Sequence, residues 1–174
     1  MPPTAIKTIR DLIFWEYAKL ISQSAGKGRD NFAFVMFKFK ELQSRAISWS
    51  TILREDLKTS RDECAYCGAK SNLSHDHIVP KRECHYDEIH NIVAACKSCN
   101  SSKGDKDLIE WYGLDRRAEI PRIVMGKYLK MLYICHECRG TLAKRDINKD
   151  GKVDLLDLGW IFKETCGEKG SALK

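Results

Sequence analysis

Two Cys-x-x-Cys pairs constrain this chain more than any other feature: Cys64/Cys67 and Cys96/Cys99, with 28 residues between them. Two thiols in one short turn can wrap a single ion, and two such turns complete a tetrahedral set. Gly68, directly after the first pair, permits the tight turn that this wrapping needs. A site closed by four thiolates has no open position for water or substrate. Its expected job is structural, to staple a region too small to bury much core. The eight cysteines of the chain could instead form disulfides. The opening stretch MPPTAIKTIRDLIFWEYAKLI is interrupted by Asp11, Glu16 and Lys19 and reads as neither a signal peptide nor a membrane span. The expected location is therefore the cytoplasm, where disulfides are rare and zinc is the better reading.

The rest of the chain supplies helices and charge. Ile6, Ile9, Ile13, Tyr17, Leu20 and Ile21 recur at helical spacing over residues 4–25, and Gly26 and Gly28 end the pattern. Residues 31–46 fit both a strand and a helix, and the stripe Phe32, Val35, Met36, Phe39, Leu42 favours helix. Ser50 is a candidate cap for a short helix over 51–58. Short strand-like runs fall at 73–79 and 91–95. A helix is expected from Lys97 to Tyr112, ended by Gly113, and another over 121–136 behind Pro121. Residues 1–60 carry 10 Lys/Arg against 6 Asp/Glu, and residues 114–145 carry 8 against 3. The centre, 61–113, carries 7 against 9, and the tail, 146–174, carries 5 against 6. Basic flanks suit a polyanion, and ordinary solvated helix faces give the same count. No apolar run reaches the roughly 20 residues that span a bilayer, so no membrane partner is expected.

Between the cysteine pairs lies Ser74-His75-Asp76-His77-Ile78-Val79-Pro80, followed by His90-Asn91-Ile92-Val93 and then Cys96-Lys97-Ser98-Cys99-Asn100-Ser101-Ser102-Lys103. The order D-H-I-x-P, N-x-V, C-x-x-C-N-x-x-K resembles the ββα-metal motif of HNH endonucleases in its zinc-stapled form. The resemblance covers residues 61–113, about a third of the chain. It implies an α+β fold, a mostly helical chain around a central ββα-metal motif with a structural four-cysteine zinc site. It further implies that His77 is the general base, that Asp76 and Asn100 hold a catalytic divalent ion, Mg²⁺ or Mn²⁺, and that Asn91 braces the loop that orients His77. Lys103 is a candidate for contact with substrate phosphate.

The residue chemistry agrees with those roles. A carboxylate and an amide oxygen form a hard-ligand site with room left for water and phosphate oxygens. A neutral imidazole near pH 7 is suited to take a proton from water. One geometric difficulty stands: adjacent strand residues point to opposite faces, so Asp76 and His77 reach one site only where the strand ends or twists before Pro80. His75 beside them could touch metal or phosphate, although the motif does not require it. His85 and His90 read as exposed loop residues, and Cys84 as a free thiol.

A second motif lies near the C-terminus. Asp146-Ile147-Asn148-Lys149-Asp150-Gly151-Lys152-Val153-Asp154-Leu155-Leu156-Asp157 resembles an EF-hand calcium loop. Side-chain oxygens fall at Asp146, Asn148, Asp150, Asp154 and Asp157, and the Lys152 carbonyl takes the seventh place. The final Asp and the LLDLGWIF that follows look like a dockerin repeat, of which the chain holds one where dockerins normally have two. An acidic turn that caps a helix is the plain alternative. Cys135, Cys138 and Cys166, with His136 or Cys84, are candidates for a second cysteine metal site.

Four units follow: a helical region 1–60, the ββα-metal segment 61–113, a basic helical extension 114–145, and the calcium-loop tail 146–174. The expected activity is metal-dependent hydrolysis of DNA phosphodiesters to 5′-phosphate and 3′-hydroxyl ends. The expected cofactors are Zn²⁺, Mg²⁺ or Mn²⁺, and possible Ca²⁺. DNA is the expected partner, and a homodimer is one possible assembly. The competing class is a noncatalytic zinc module that binds nucleic acid, which needs the cysteines and the basic flanks but not His77, Asp76 and Asn100.

Overall fold

The computed structural model describes residues 3–46, 62–80 and 91–163. The segment 51–58, together with Cys84, His85, His90 and Cys166, lies outside the described residues. Helix α1, Ile9–Ser24, starts at a reciprocal cap: Asp11 N donates to Thr8 Oγ1, and Thr8 N donates to Asp11 Oδ2. The expected helix over 4–25 thus begins later, because Thr8 satisfies the first free N–H groups there. Helix α2, Phe32–Gln43, is capped by Asn31 and packs back on α1, with Trp15 edge-on to Phe39. The helical alternative for this segment holds. Gly26 and Gly28 both adopt positive φ in the turn between the two helices.

Strands β1, Leu73–His77, and β2, Ile92–Cys96, pair antiparallel, with Leu73 opposite Cys96 and His77 opposite Ile92. Helix α3, Lys97–Lys103, follows β2 without a linker, which completes a ββα unit. The single helix expected from Lys97 to Tyr112 is broken. Gly104 leaves the helix at positive φ, and Asp107 caps a separate α4, Leu108–Tyr112, by accepting from Ile109 N. Helix α5, Arg122–Cys138, begins after Pro121, and α6, Leu155–Lys163, follows the acidic loop.

One hydrophobic cluster joins these pieces. It contains Ile9, Ile13 and Tyr17 of α1, Val35 and Phe39 of α2, Ile78, Val79 and Val93 of the hairpin, Met125, Tyr128 and Leu132 of α5, and Leu158 and Ile161 of α6. Burying apolar area of this kind is the main favourable term in folding. Its consequence for the site is that the end of β1, just past His77, is anchored in the core. Lys127 of α5 adds a polar tie, donating to Ile92 O at 2.8 Å. Among the described residues, no helix is long and apolar enough to cross a membrane.

Candidate active site and zinc centre

The first cysteine pair sits in a knuckle closed by its own backbone. Cys64 N donates to Ala69 O and Gly68 N to Cys64 O, with Gly68 at φ +76°. Ala65 N donates to Ala94 O, which ties the knuckle to β2. The second pair straddles the junction of β2 and α3, where Cys96 Sγ serves as the helix cap by accepting from Cys99 N. The four sulfurs all lie within 4.8 Å of one another. Cys67 and Cys96 sulfurs are 3.7 Å apart, far beyond a disulfide bond of about 2.05 Å. This is close to the ~3.8 Å edge of a tetrahedron with Zn–S distances of about 2.3 Å.

The thiols' electrostatics also fit a cation. Burial pushes the Cys64 thiol up, but backbone N–H groups of Cys96, Cys67 and Tyr66 outweigh it and bring the thiol down to about 7. Burial, followed by the neighbouring thiols, pushes Cys99 well above the ordinary range. Protein groups alone thus favour an anion at Cys64 and oppose one at Cys99, and a bound Zn²⁺ removes that conflict. Among the described residues, this is the one group of three or more His, Cys, Asp or Glu ligands gathered so closely.

The polar residues lie along β1 and α3. Asp76 is buried to 6% exposure. Its Oδ2 accepts from the Tyr66 hydroxyl at 2.5 Å and lies 3.5 Å from Lys103 Nζ. Burial, with the Asp76 charge adding to it, pushes the Tyr66 phenol far above its usual range, so the hydroxyl stays a donor. Asn100 projects from α3 onto β1, where its Nδ2 donates to Ser74 Oγ at 3.0 Å and His75 O at 3.3 Å. A carbonyl only accepts, so this contact assigns nitrogen and oxygen of the amide and leaves Oδ1 free of that anchor. Ser74 and Asp76 share one face of β1, about 7 Å apart by strand rise. The structure therefore brings an anchored amide and an anchored carboxylate to the same strand face. Two hard oxygen ligands of this type fit a Mg²⁺-like ion.

His77 is the last residue of β1. The pleat carries it to the face opposite Asp76, half-buried, with Nε2 covered from solvent. Asn91 is fully buried, and its side chain bonds Val79 in both directions. Oδ1 accepts from Val79 N at 2.8 Å, and Nδ2 donates to Val79 O at 2.9 Å. With Ile78 N donating to Asn91 O at 2.9 Å, this pins the two residues after His77. Lys103, the candidate for phosphate contact, lies inside the fold. It is 1% exposed, and Nζ donates to His77 O at 2.6 Å as well as facing Asp76. Its charge is held inside, where a carboxylate and a carbonyl offset its desolvation. His75 is exposed and enters the network through its carbonyl alone.

Residues 64–108 match the family model described as HNH endonuclease. That span contains all four cysteines, Asp76, His77, Asn91, Asn100 and Lys103. Over 72 residues the chain is 36% identical to a CRISPR-associated endonuclease Cas9 from Corynebacterium diphtheriae, which covers 39% of this chain and 6% of that protein. No solved structure matches. The matched span thus coincides with the ββα unit and its cysteine frame, and most of the surrounding helices lie outside it.

Other polar features of the sequence have partners of their own. In the acidic loop, Asp146 accepts from Asp150 N and Gly151 N, and Asp150 accepts from Lys152 N. Asp157 accepts from Ile147 N, Asn148 N and Asp154 N, and Asp154 accepts from Leu156 N. Cys135 is buried and Cys138 exposed on α5. The ring of His136 is held by Thr141 Oγ1 and Leu158 O, which takes both of its nitrogens away from a cysteine metal site. In the basic extension, Arg116, Arg117, Lys127 and Arg139 all donate to backbone carbonyls. Part of that segment's positive charge therefore serves the fold. The Tyr66–Asp76 bond escaped the sequence reading, although a tyrosine inside a Cys-x-x-Cys turn is a visible signal.

Proposed function

We propose that this protein is a metal-dependent HNH endonuclease that hydrolyses DNA phosphodiesters. What supports the reading is that Asn100 bonds Ser74 and His75 of β1, next to the Asp76 that Tyr66 anchors, and that four thiols of zinc dimensions gather within 4.8 Å of one another. The HNH family match over these residues and the likeness to a Cas9 endonuclease support it. Asp76 and Asn100 would hold Mg²⁺ or Mn²⁺. Such an ion, when bound, neutralises charge on the phosphate and the leaving oxygen. His77, at the very end of β1, would turn its ring from the opposite strand face toward the ion and take the proton from the attacking water as its oxygen bonds to phosphorus. The P–O3′ bond breaks and the leaving oxygen takes a proton from solvent water, which leaves a 5′-phosphate and a 3′-hydroxyl. Asn91 fixes the backbone that carries His77, and Lys103 balances the buried Asp76 charge rather than touching substrate. The basic stretches 1–60 and 114–145 lie on either side of the HNH segment and would hold the duplex backbone, while the loop 146–157 would take Ca²⁺ and stabilise the tail.

The product ends test this chemistry. Fragments from a Mg²⁺-dependent digest should be rejoined by DNA ligase without end repair, because ligation needs a 5′-phosphate and a 3′-hydroxyl. Fragments that rejoin only after phosphatase and kinase treatment would contradict the proposed attack. Salt-sensitive DNA binding with no cleavage would favour the noncatalytic zinc module.

A further inference from the structure

Tyr66 joins the two metal sites. Its backbone is the middle of the cysteine knuckle, between Cys64 and Cys67. Its ring meets Trp111 of α4 edge-on, with centroids 5.0 Å apart at 83°, and Trp111 is itself tied to α3 through Ser102 Oγ. Its hydroxyl reaches across to Asp76 Oδ2. Lys103 approaches the same oxygen, and no described hydrogen bond falls on Asp76 Oδ1. A carboxylate fixed through one oxygen presents the other in a set direction. Contacts of this kind around a metal ligand set its orientation and basicity.

We propose that Tyr66 is a positioning residue: held by the zinc knuckle and by Trp111, it turns Asp76 so that Oδ1 faces the catalytic divalent ion. This deepens the nuclease reading and rests on it. The four-cysteine centre then does more than staple the fold. By fixing the turn that carries Tyr66, it sets the affinity of the second metal site, so loss of zinc weakens Mg²⁺ binding before any chemistry begins. The hydroxyl is the essential group, since the packing against Trp111 belongs to the ring and survives its removal.

The test uses the full, zinc-loaded chain with Tyr66→Phe, and Tyr112→Phe as a hydroxyl deletion in the same aromatic cluster. Zinc content is measured first. Mn²⁺ binding is followed by the electron paramagnetic resonance of free Mn²⁺, counting only the binding that Asp76→Ala abolishes. Cleavage is measured against Mg²⁺ concentration. Tyr66→Phe should keep its zinc and lose about 10- to 100-fold in Mn²⁺ affinity. The Mg²⁺ concentration for half-maximal cleavage should rise by the same factor, with a smaller loss at saturating metal. Tyr112→Phe should match the wild type. A Tyr66→Phe protein that binds Mn²⁺ as tightly as the wild type would overturn the proposal, and so would one that loses its zinc. A wild type that neither binds Mn²⁺ at Asp76 nor cuts DNA would overturn the nuclease reading itself, and that failure shows in the wild type rather than in the variant.

Discussion

The zinc centre and the acidic loop both present metal-ligand motifs, yet the chain builds them in opposite ways. The zinc centre draws its thiols from two turns 28 residues apart and gathers them within 4.8 Å. Backbone N–H groups favour an anion at Cys64, while burial and the neighbouring thiols oppose one at Cys99. The acidic loop is twelve consecutive residues, and its carboxylates already accept from the loop's own backbone N–H groups. A long-range ligand set forms only if the fold and the ion form together. A contiguous loop can close on its own hydrogen bonds, with an ion as an optional addition. The first kind of site is a determinant of folding, and the second an adjustment to stability.

The largest effect should come from the zinc centre. Cys96→Ser removes a ligand and the Sγ that caps α3. Structural zinc contributes about 10–16 kcal/mol in small zinc folds, as much as the whole stability of an ordinary domain. The variant should lose zinc, and amide protons of β1 and β2 should exchange freely. Slow exchange in a zinc-free variant would show that the hydrophobic core alone holds the hairpin.

Asn91→Ala comes next. It leaves Val79 N and Val79 O buried without their partners, at a cost of about 2–4 kcal/mol. Urea unfolding should show that loss with zinc content unchanged. A cost under ~1 kcal/mol would mean that the loop after His77 is held by its apolar neighbours instead.

Acid should affect the loop side of the molecule more gently. Burial, against the raising effect of the Leu158 carbonyl, brings the His136 ring down to about 4, whereas an unfolded histidine titrates near ~6.5. The folded state thus excludes a proton that the unfolded chain accepts. The stability from neutral His136 is complete above pH ~6.5 and is lost as pH falls from there to about 4, by ~3 kcal/mol at most. The ring signals of His136 should stay in their neutral position down to about pH 4 by NMR, and a midpoint near 6.5 would break this account.

The smallest effect is expected at the loop itself. Asp146→Ala removes the acceptor for Asp150 N and Gly151 N. It should lower stability by about 1–2 kcal/mol, leave zinc content unchanged and not alter DNA cleavage. If this variant unfolded the chain as fully as Cys96→Ser does, the contrast between the two regions would collapse.

The same contrast explains what could be read in advance. The gathering of Cys64, Cys67, Cys96 and Cys99 was legible because each pair sits in a short local pattern, and the hairpin and most of the helices follow from periodicity and turn residues. The break at Gly104 was missed, although Gly104 and Asp107 carry the local signals of a helix end followed by a helix start. What local pattern does not carry is the partner across space. Lys103 reads as a phosphate contact in the sequence, and only the packing of α3 on β1 brings its amine to His77 O and Asp76. The basic count of 114–145 conceals the arginines and the lysine that bond to backbone carbonyls. Tyr66 is ten residues from Asp76 in the chain, and the knuckle must fold onto the hairpin before they meet.

The central claim, a nuclease whose general base is His77, is tested most directly by incubating supercoiled plasmid with Mg²⁺ or Mn²⁺. Wild type and His77→Ala are compared with zinc measured in both, beside an EDTA control. The account predicts nicked or linear DNA from the wild type, none in EDTA, and a loss of at least about 100-fold in the variant with its zinc retained. Equal cleavage by His77→Ala, or none by a zinc-loaded wild type on several DNAs, would contradict it.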